Sequence, residues 1–108
     1  DVGTVVNPDG VRAQIEGASL WGLSLALYEK AVLDKGALQV TNFNSYTPLR
    51  MSQMPEVAVN VIANGDKPTG VGEPGTPVIA PALANALAAA NGKSIRTLPL
   101  AGQGITLV

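Results

Sequence analysis

The stretch from Val11 to about Ala31 does most to limit what this chain can fold into. Ile15, Ala18, Gly22 and Leu25 recur every three or four residues, and Leu20, Leu23 and Leu27 widen the apolar surface. That spacing predicts a helix. Asn7 or Asp9 is placed to cap its start, and Lys30 suits the negative end of its dipole. Two glycines inside it, Gly17 and Gly22, each cost about 1 kcal/mol relative to alanine. Ala18, Gly22 and Ala26, at four-residue steps, form a stripe of small residues where another backbone can approach closely. The expected use of that stripe is tight packing of the helix on a sheet.

The rest of the chain reads as shorter pieces separated by turns. Val2–Val6 is a β-branched run closed by Asn7-Pro8-Asp9-Gly10. Asp34-Lys35-Gly36 marks a turn before a strand-like run, 37–45, on which Asn42, Asn44 and Tyr46 alternate. Pro48 and Pro55 bracket a polar crossing, with Arg50 expected to anchor it to a carboxylate or carbonyls. Glu56–Ala63 alternates as a strand with at least one buried face. A second helix begins between Thr76 and Pro81 and stops at Asn91-Gly92. Ser94–Leu98 is a last strand, and the tail from Pro99 onward is expected to extend over a neighbour. The implied order is strand, helix, strand, strand, helix, strand: an α+β fold, one sheet with two helices on one face, in the βαββαβ ferredoxin-like arrangement.

Composition removes several functions. The 108 residues include no Cys and no His, which excludes a disulfide framework, a zinc ribbon, a thiol nucleophile and a Ser-His triad within this segment. A net charge of −1 lacks the basic footprint of a nucleic-acid binder. No apolar run reaches the length of a membrane span. Aromatics are only 4% while hydrophobic residues are 46%, so any core is built from small side chains. A domain of this length is expected to bury roughly two thirds of the surface its unfolded chain exposes. The chain opens at Asp1 without an initiator Met, which is taken as the mark of an excised piece of something larger.

One segment has chemical character: Gly70-Val71-Gly72-Glu73-Pro74-Gly75, shortly before the second helix. Its glycines permit close approach of a ligand to the backbone, and a carboxylate near a helix N-terminus is favoured in its ionised, proton-accepting form. Such a turn is more often a solvated loop than a catalytic one. It lacks the Lys-Ser/Thr of a P-loop and the spacing of a dinucleotide fingerprint. Gln14 and Glu16, near the start of the first helix, lie two residues apart and cannot share one face.

Several motifs coincide, in order, with those of a known family. They are Asn7-Pro8, Gln14-Ile15-Glu16-Gly17-Ala18, Gly22–Leu27, Gln39–Phe43, Tyr46, Leu49-Arg50-Met51, Met54–Val57, Gly70–Gly75 and Ile79–Ala86. Together they resemble the C-terminal end of the molybdopterin-binding subunit of the xanthine dehydrogenase/aldehyde oxidase family, in particular its isoquinoline 1-oxidoreductase β-subunit type. The resemblance covers residues 1–100, which it implies are a C-terminal subdomain of a molybdenum-hydroxylase large subunit, with 101–108 as a tail.

The resemblance implies a molybdopterin cofactor, in its cytosine dinucleotide form, that oxidises an N-heterocycle or aldehyde with oxygen derived from water. It makes Glu73 the general base acting on the molybdenum-bound hydroxyl, and puts Gln14 and Gly72 at the cofactor. No side chain ligates the metal, because the pterin dithiolene does. The implied partners are the remainder of the large subunit, a subunit carrying [2Fe-2S] clusters, and a small-molecule substrate. The isolated segment is expected to be empty and inactive, and to self-associate through an exposed apolar patch. Two other readings stand beside this one: a non-catalytic assembly module that kept the fold, and a free-standing ferredoxin-like domain binding a small ligand through the glycine-rich loop.

Overall fold

A computed structural model of the chain describes residues 1–104. Two helices dominate it. The first, α1, runs Pro8–Leu27. Asn7 is extended at its N-cap, and its side-chain oxygen accepts a hydrogen bond from the Gly10 N–H at 3.0 Å. Pro8 occupies the first turn, where its missing N–H costs nothing, and Asp9 faces the positive dipole end. The helix stops four residues short of the expected Ala31, so Lys30 lies outside it. The orphan carbonyls of its last turn are satisfied by backbone instead. Leu100 N–H donates to Ala26 O at 2.9 Å and Ala101 N–H to Leu27 O at 2.8 Å. Leu100 is fully buried there. The tail therefore folds onto its own helix as far as it is described; residues 105–108 of the expected tail lie outside the described residues.

The second helix, α2, runs Ile79–Asn91 and packs on α1. Pro81 sits in its first turn, as proline must. Its end matches the Asn-Gly signal: Gly92 is left-handed, φ 69°, and its N–H returns to Ala88 O.

The chain is α+β, but its sheet is small. Strands β1, Leu33–Asp34, and β2, Ala37–Leu38, form an antiparallel hairpin with Leu33 opposite Leu38. Lys35 and Gly36 take positive φ in its two-residue turn, the geometry that matches strand twist. The expected strand 37–45 ends at Leu38, because residues 43–45 form a turn. The Asn42 side chain accepts from Phe43 N–H at 2.8 Å, and its carbonyl accepts from Ser45 N–H, so local bonds displace a ladder. Of the other expected strands, Val2–Val6 makes two backbone bonds, Thr4 N–H to Asp66 O and Thr69 N–H to Val2 O. Glu56–Ala63 and Ser94–Leu98 pair with nothing among the described residues. The four-stranded βαββαβ sheet is thus not formed among the described residues, because alternation specifies a strand's faces but not the neighbour its backbone needs.

The crossing between Pro48 and Pro55 is anchored differently from expectation. Arg50 is exposed and uses its backbone N–H, which donates to the Gln53 side chain in a short 3₁₀ turn, Met51–Gln53. The attachments to α1 and to the two residues that follow it come from neighbours. Leu49 N–H donates to buried Ser24 Oγ at 2.8 Å, Gln53 Nε2 donates to Tyr28 OH, and Tyr46 OH donates to the Glu29 carboxylate at 2.5 Å.

Burial falls short of expectation. The accessible surface is 7872 Å², where a domain of this mass should expose about 5,600 Å². The radius of gyration is 16.7 Å, against roughly 13 Å for a chain of this length. Only about half of the unfolded surface is covered. Among the described residues, the buried apolar side chains are Ala18, Ala26 and Leu27 along α1, and Leu100.

Candidate functional site

The small-residue stripe of α1 seats the glycine-rich loop rather than a sheet. A Cβ placed on Gly75 would stand 2.9 Å from the Ala18 Cβ, and one placed on Gly22 would stand 2.5 Å from the Thr76 carbonyl oxygen. Two backbones therefore meet at a distance only these residues allow. Thr76 N–H closes a turn onto Glu73 O at 2.9 Å, and Ile79 N–H reaches Thr76 O at the start of α2. The loop is held from below by α1 and from behind by α2.

This seating brings two of the three expected site residues together. Gln14 Nε2 donates to Gly72 O at 3.5 Å, the outer limit of a hydrogen bond, across 58 residues of sequence. Glu73 follows directly, with an exposed side chain. Five residues, Pro74 to Val78, separate it from the first residue of α2, so the carboxylate is not in the helix's first turn. Nothing lies within 4 Å of a Cβ built on Gly70, which leaves the loop backbone open to an incoming group.

Glu73 and Gln14 line different grooves. Glu73 borders an open apolar groove of about 450 Å³ with Trp21, Leu25, Pro74, Thr76 and Pro77. Gln14 borders another, of about 300 Å³, with Val2, Thr4, Val11, Thr69 and Val71 among its walls. The Gly70–Glu73 segment is the ridge between them. Trp21 is a site residue that sequence reasoning missed. Its signal was available: Trp21 and Leu25 are four apart on α1, sharing a face that stays 63% and 40% exposed. Glu16 is half-buried and lines neither groove.

No three or more acidic, His or Cys side chains gather to hold a metal among the described residues.

Comparison with known proteins bears on this geometry. Residues 1–55 match the model of the molybdopterin cofactor-binding domain. The chain is 47% identical over 100 residues to the membrane-bound aldehyde dehydrogenase [pyrroloquinoline-quinone] of Gluconacetobacter polyoxogenes, covering 93% of this chain and 13% of that protein. It is 45% identical over 100 residues to the isoquinoline 1-oxidoreductase subunit beta of Brevundimonas diminuta, with the same coverage. It is 36% identical over 103 residues to a probable xanthine dehydrogenase subunit of Bacillus subtilis, covering 91% of this chain and 14% of that one. The chain thus spans about an eighth of the length of the first two relatives, and matches of that span necessarily include the Gly70–Gly75 loop. With half of its residues matched by the family model, this chain belongs to the molybdopterin cofactor-binding domain family.

Proposed function

We propose that this chain supplies the proton-accepting carboxylate and one wall of the cofactor site in a molybdopterin-dependent hydroxylase. The observation that carries the reading is the clamp around the glycine-rich loop. Gln14 meets Gly72 from one side, Ala18 and Gly22 seat Gly75 and Thr76 from below, and Glu73 emerges at the rim of an apolar groove.

In this reading Gln14 and the Gly70–Gly72 backbone bind and orient the cofactor, in its cytosine dinucleotide form. The molybdenum group, when bound, supplies the two-electron redox centre. Glu73 accepts the proton of the water-derived hydroxyl whose oxygen attacks an electron-poor carbon of an N-heterocycle or aldehyde. Overall the substrate's C–H and one water would give C–OH, two protons and two electrons; Glu73 would take one proton, solvent the other, and the electrons would pass through the bound redox group to [2Fe-2S] clusters on a partner subunit. Trp21 and Leu25 give Glu73 an apolar border against which a flat substrate ring can lie.

The test is Glu73→Gln in the full-length enzyme. Molybdenum and pterin content are expected to be unchanged while kcat falls by several orders of magnitude. Near-normal turnover in that variant removes the general-base role. The same pterin assay separates a second reading, raised by the name of the Gluconacetobacter relative. Release of pyrroloquinoline quinone instead of a pterin would put a different cofactor at this loop.

A further inference from the structure

The segment Glu56–Ala63 runs without a turn yet has no strand beside it among the described residues. From Pro55 to Asn64 the chain makes no turn or bend. Val57, Val59 and Val61 are half-buried while Ala58, Asn60 and Ile62 are exposed, the two-residue alternation of extended backbone. Its start lies over both helices, sharing a groove with Leu20 and Leu23 of α1 and Ile79, Ala82 and Leu83 of α2. No backbone or side-chain hydrogen bond among the described residues involves an N–H or C=O of residues 56–63. Among the described residues, eight consecutive residues thus leave the polar groups of both edges without a partner. Backbone groups in that state are almost always paired once they are covered.

The chain's other strand-like segments are already committed. Residues 2–4 pair with 66–69. Ile95–Leu98 lies against Ala80, Pro81 and Ala84, the opposite face of α2 from the one that meets Val57. The outer face of 56–63 is mixed: Glu56 and Asn60 alternate with Ala58 and Ile62, and Ile62 is 63% exposed.

We infer that Glu56–Ala63 is a central strand of a sheet whose two neighbouring strands are contributed by the remainder of a larger subunit. This rests on the chain being part of such a subunit, as its span of about an eighth of two relatives supports, and not on Glu73 or the redox chemistry. A second copy of this chain fits less well. A two-fold pair joins one edge of each strand and leaves the other edge open.

Amide hydrogen exchange tests the inference without reading activity. In the isolated 108-residue chain, amides 57–63 are expected to exchange near their unstructured rates. In the full-length subunit they are expected to slow by roughly a thousandfold or more, at both odd and even positions, because successive N–H groups point to opposite edges. Equal exchange in the two proteins overturns the inference. Slowing at alternate amides only makes the segment an edge strand and overturns its central place. Slowing in the isolated chain that grows with concentration assigns the edges to a second copy. Asn60→Pro, which removes one N–H, is expected to lower the Tm of the full-length subunit by several degrees while leaving the helix content of the isolated chain unchanged. An unchanged Tm counts against the ladder.

Discussion

At the scale of single residues, the clearest electrostatic feature lies away from the glycine-rich loop. Tyr46 donates its phenolic proton to Glu29, and that hydrogen bond, with some desolvation and the carboxylate's charge, raises the Tyr46 pKa above the usual tyrosine value. A raised pKa in the folded state means the proton is held more tightly there than in the unfolded chain. The contact therefore contributes fully below the unfolded tyrosine range, near pH 10, and is lost as pH rises through the folded value. In an ultraviolet tyrosinate titration, Tyr46→Phe is expected to remove the part of the absorbance rise that comes later than ordinary tyrosine. Glu29→Gln should move that part to lower pH. The Phe variant should also lose roughly 0.5–1 kcal/mol, since the bond is partly exposed. An unchanged titration in both variants would show that the contact does not form in solution.

Among elements, the pairing of α1 with the loop ahead of α2 decides where Glu73 stands. The two interior glycines of α1 separate this role from helix propensity. Nothing lies within 4 Å of a Cβ on Gly17, so Gly17→Ala is expected to stabilise by about 0.5–1 kcal/mol through propensity alone. Gly22→Ala makes the same propensity gain but drives its methyl into the Thr76 carbonyl, a backbone atom that cannot rotate away. Overpacking of that kind costs about 1–3 kcal/mol, so the net change is expected to be destabilising. In the full-length enzyme Gly22→Ala should also lower turnover, because the displaced segment carries Glu73 three residues earlier. Denaturant unfolding of the two variants side by side checks the sign. Stabilisation by both would mean the helix and the loop are not in contact.

The whole molecule is under-buried for its mass, and that bears on what it can do alone. Trp21, Leu33, Phe43, Met51 and Ile62 are all largely exposed. Both grooves beside the glycine-rich loop are open, and neither encloses a pterin-sized group. The isolated chain is expected to bind no stoichiometric molybdenum after reconstitution, as measured by metal analysis of the purified protein. A one-to-one metal content would show that the site is complete within these residues. No described helix is long and apolar enough to cross a membrane.

Local signals carried the helices and turns. Asn7, Pro8 and Gly92 mark helix ends because their bonds are made within a few residues, and Asp34-Lys35-Gly36 forms its hairpin for the same reason. The family was legible too, since its motifs are strings of residues, and the small stripe of α1 correctly announced a close approach. Alternation in 2–6, 56–63 and 94–98 announced strands without naming partners, so it could not say that no common sheet joins them among the described residues. Nor could it foretell that Leu100 closes the end of α1, a contact 74 residues from Ala26. The sequence by itself determined where the backbone turns and coils, because those choices are settled by neighbours along the chain. Only the tertiary structure decided that the stripe holds the Glu73 loop, that Gln14 meets Gly72 and that 56–63 finds no partner among the described residues, because each depends on which distant backbone reaches it first.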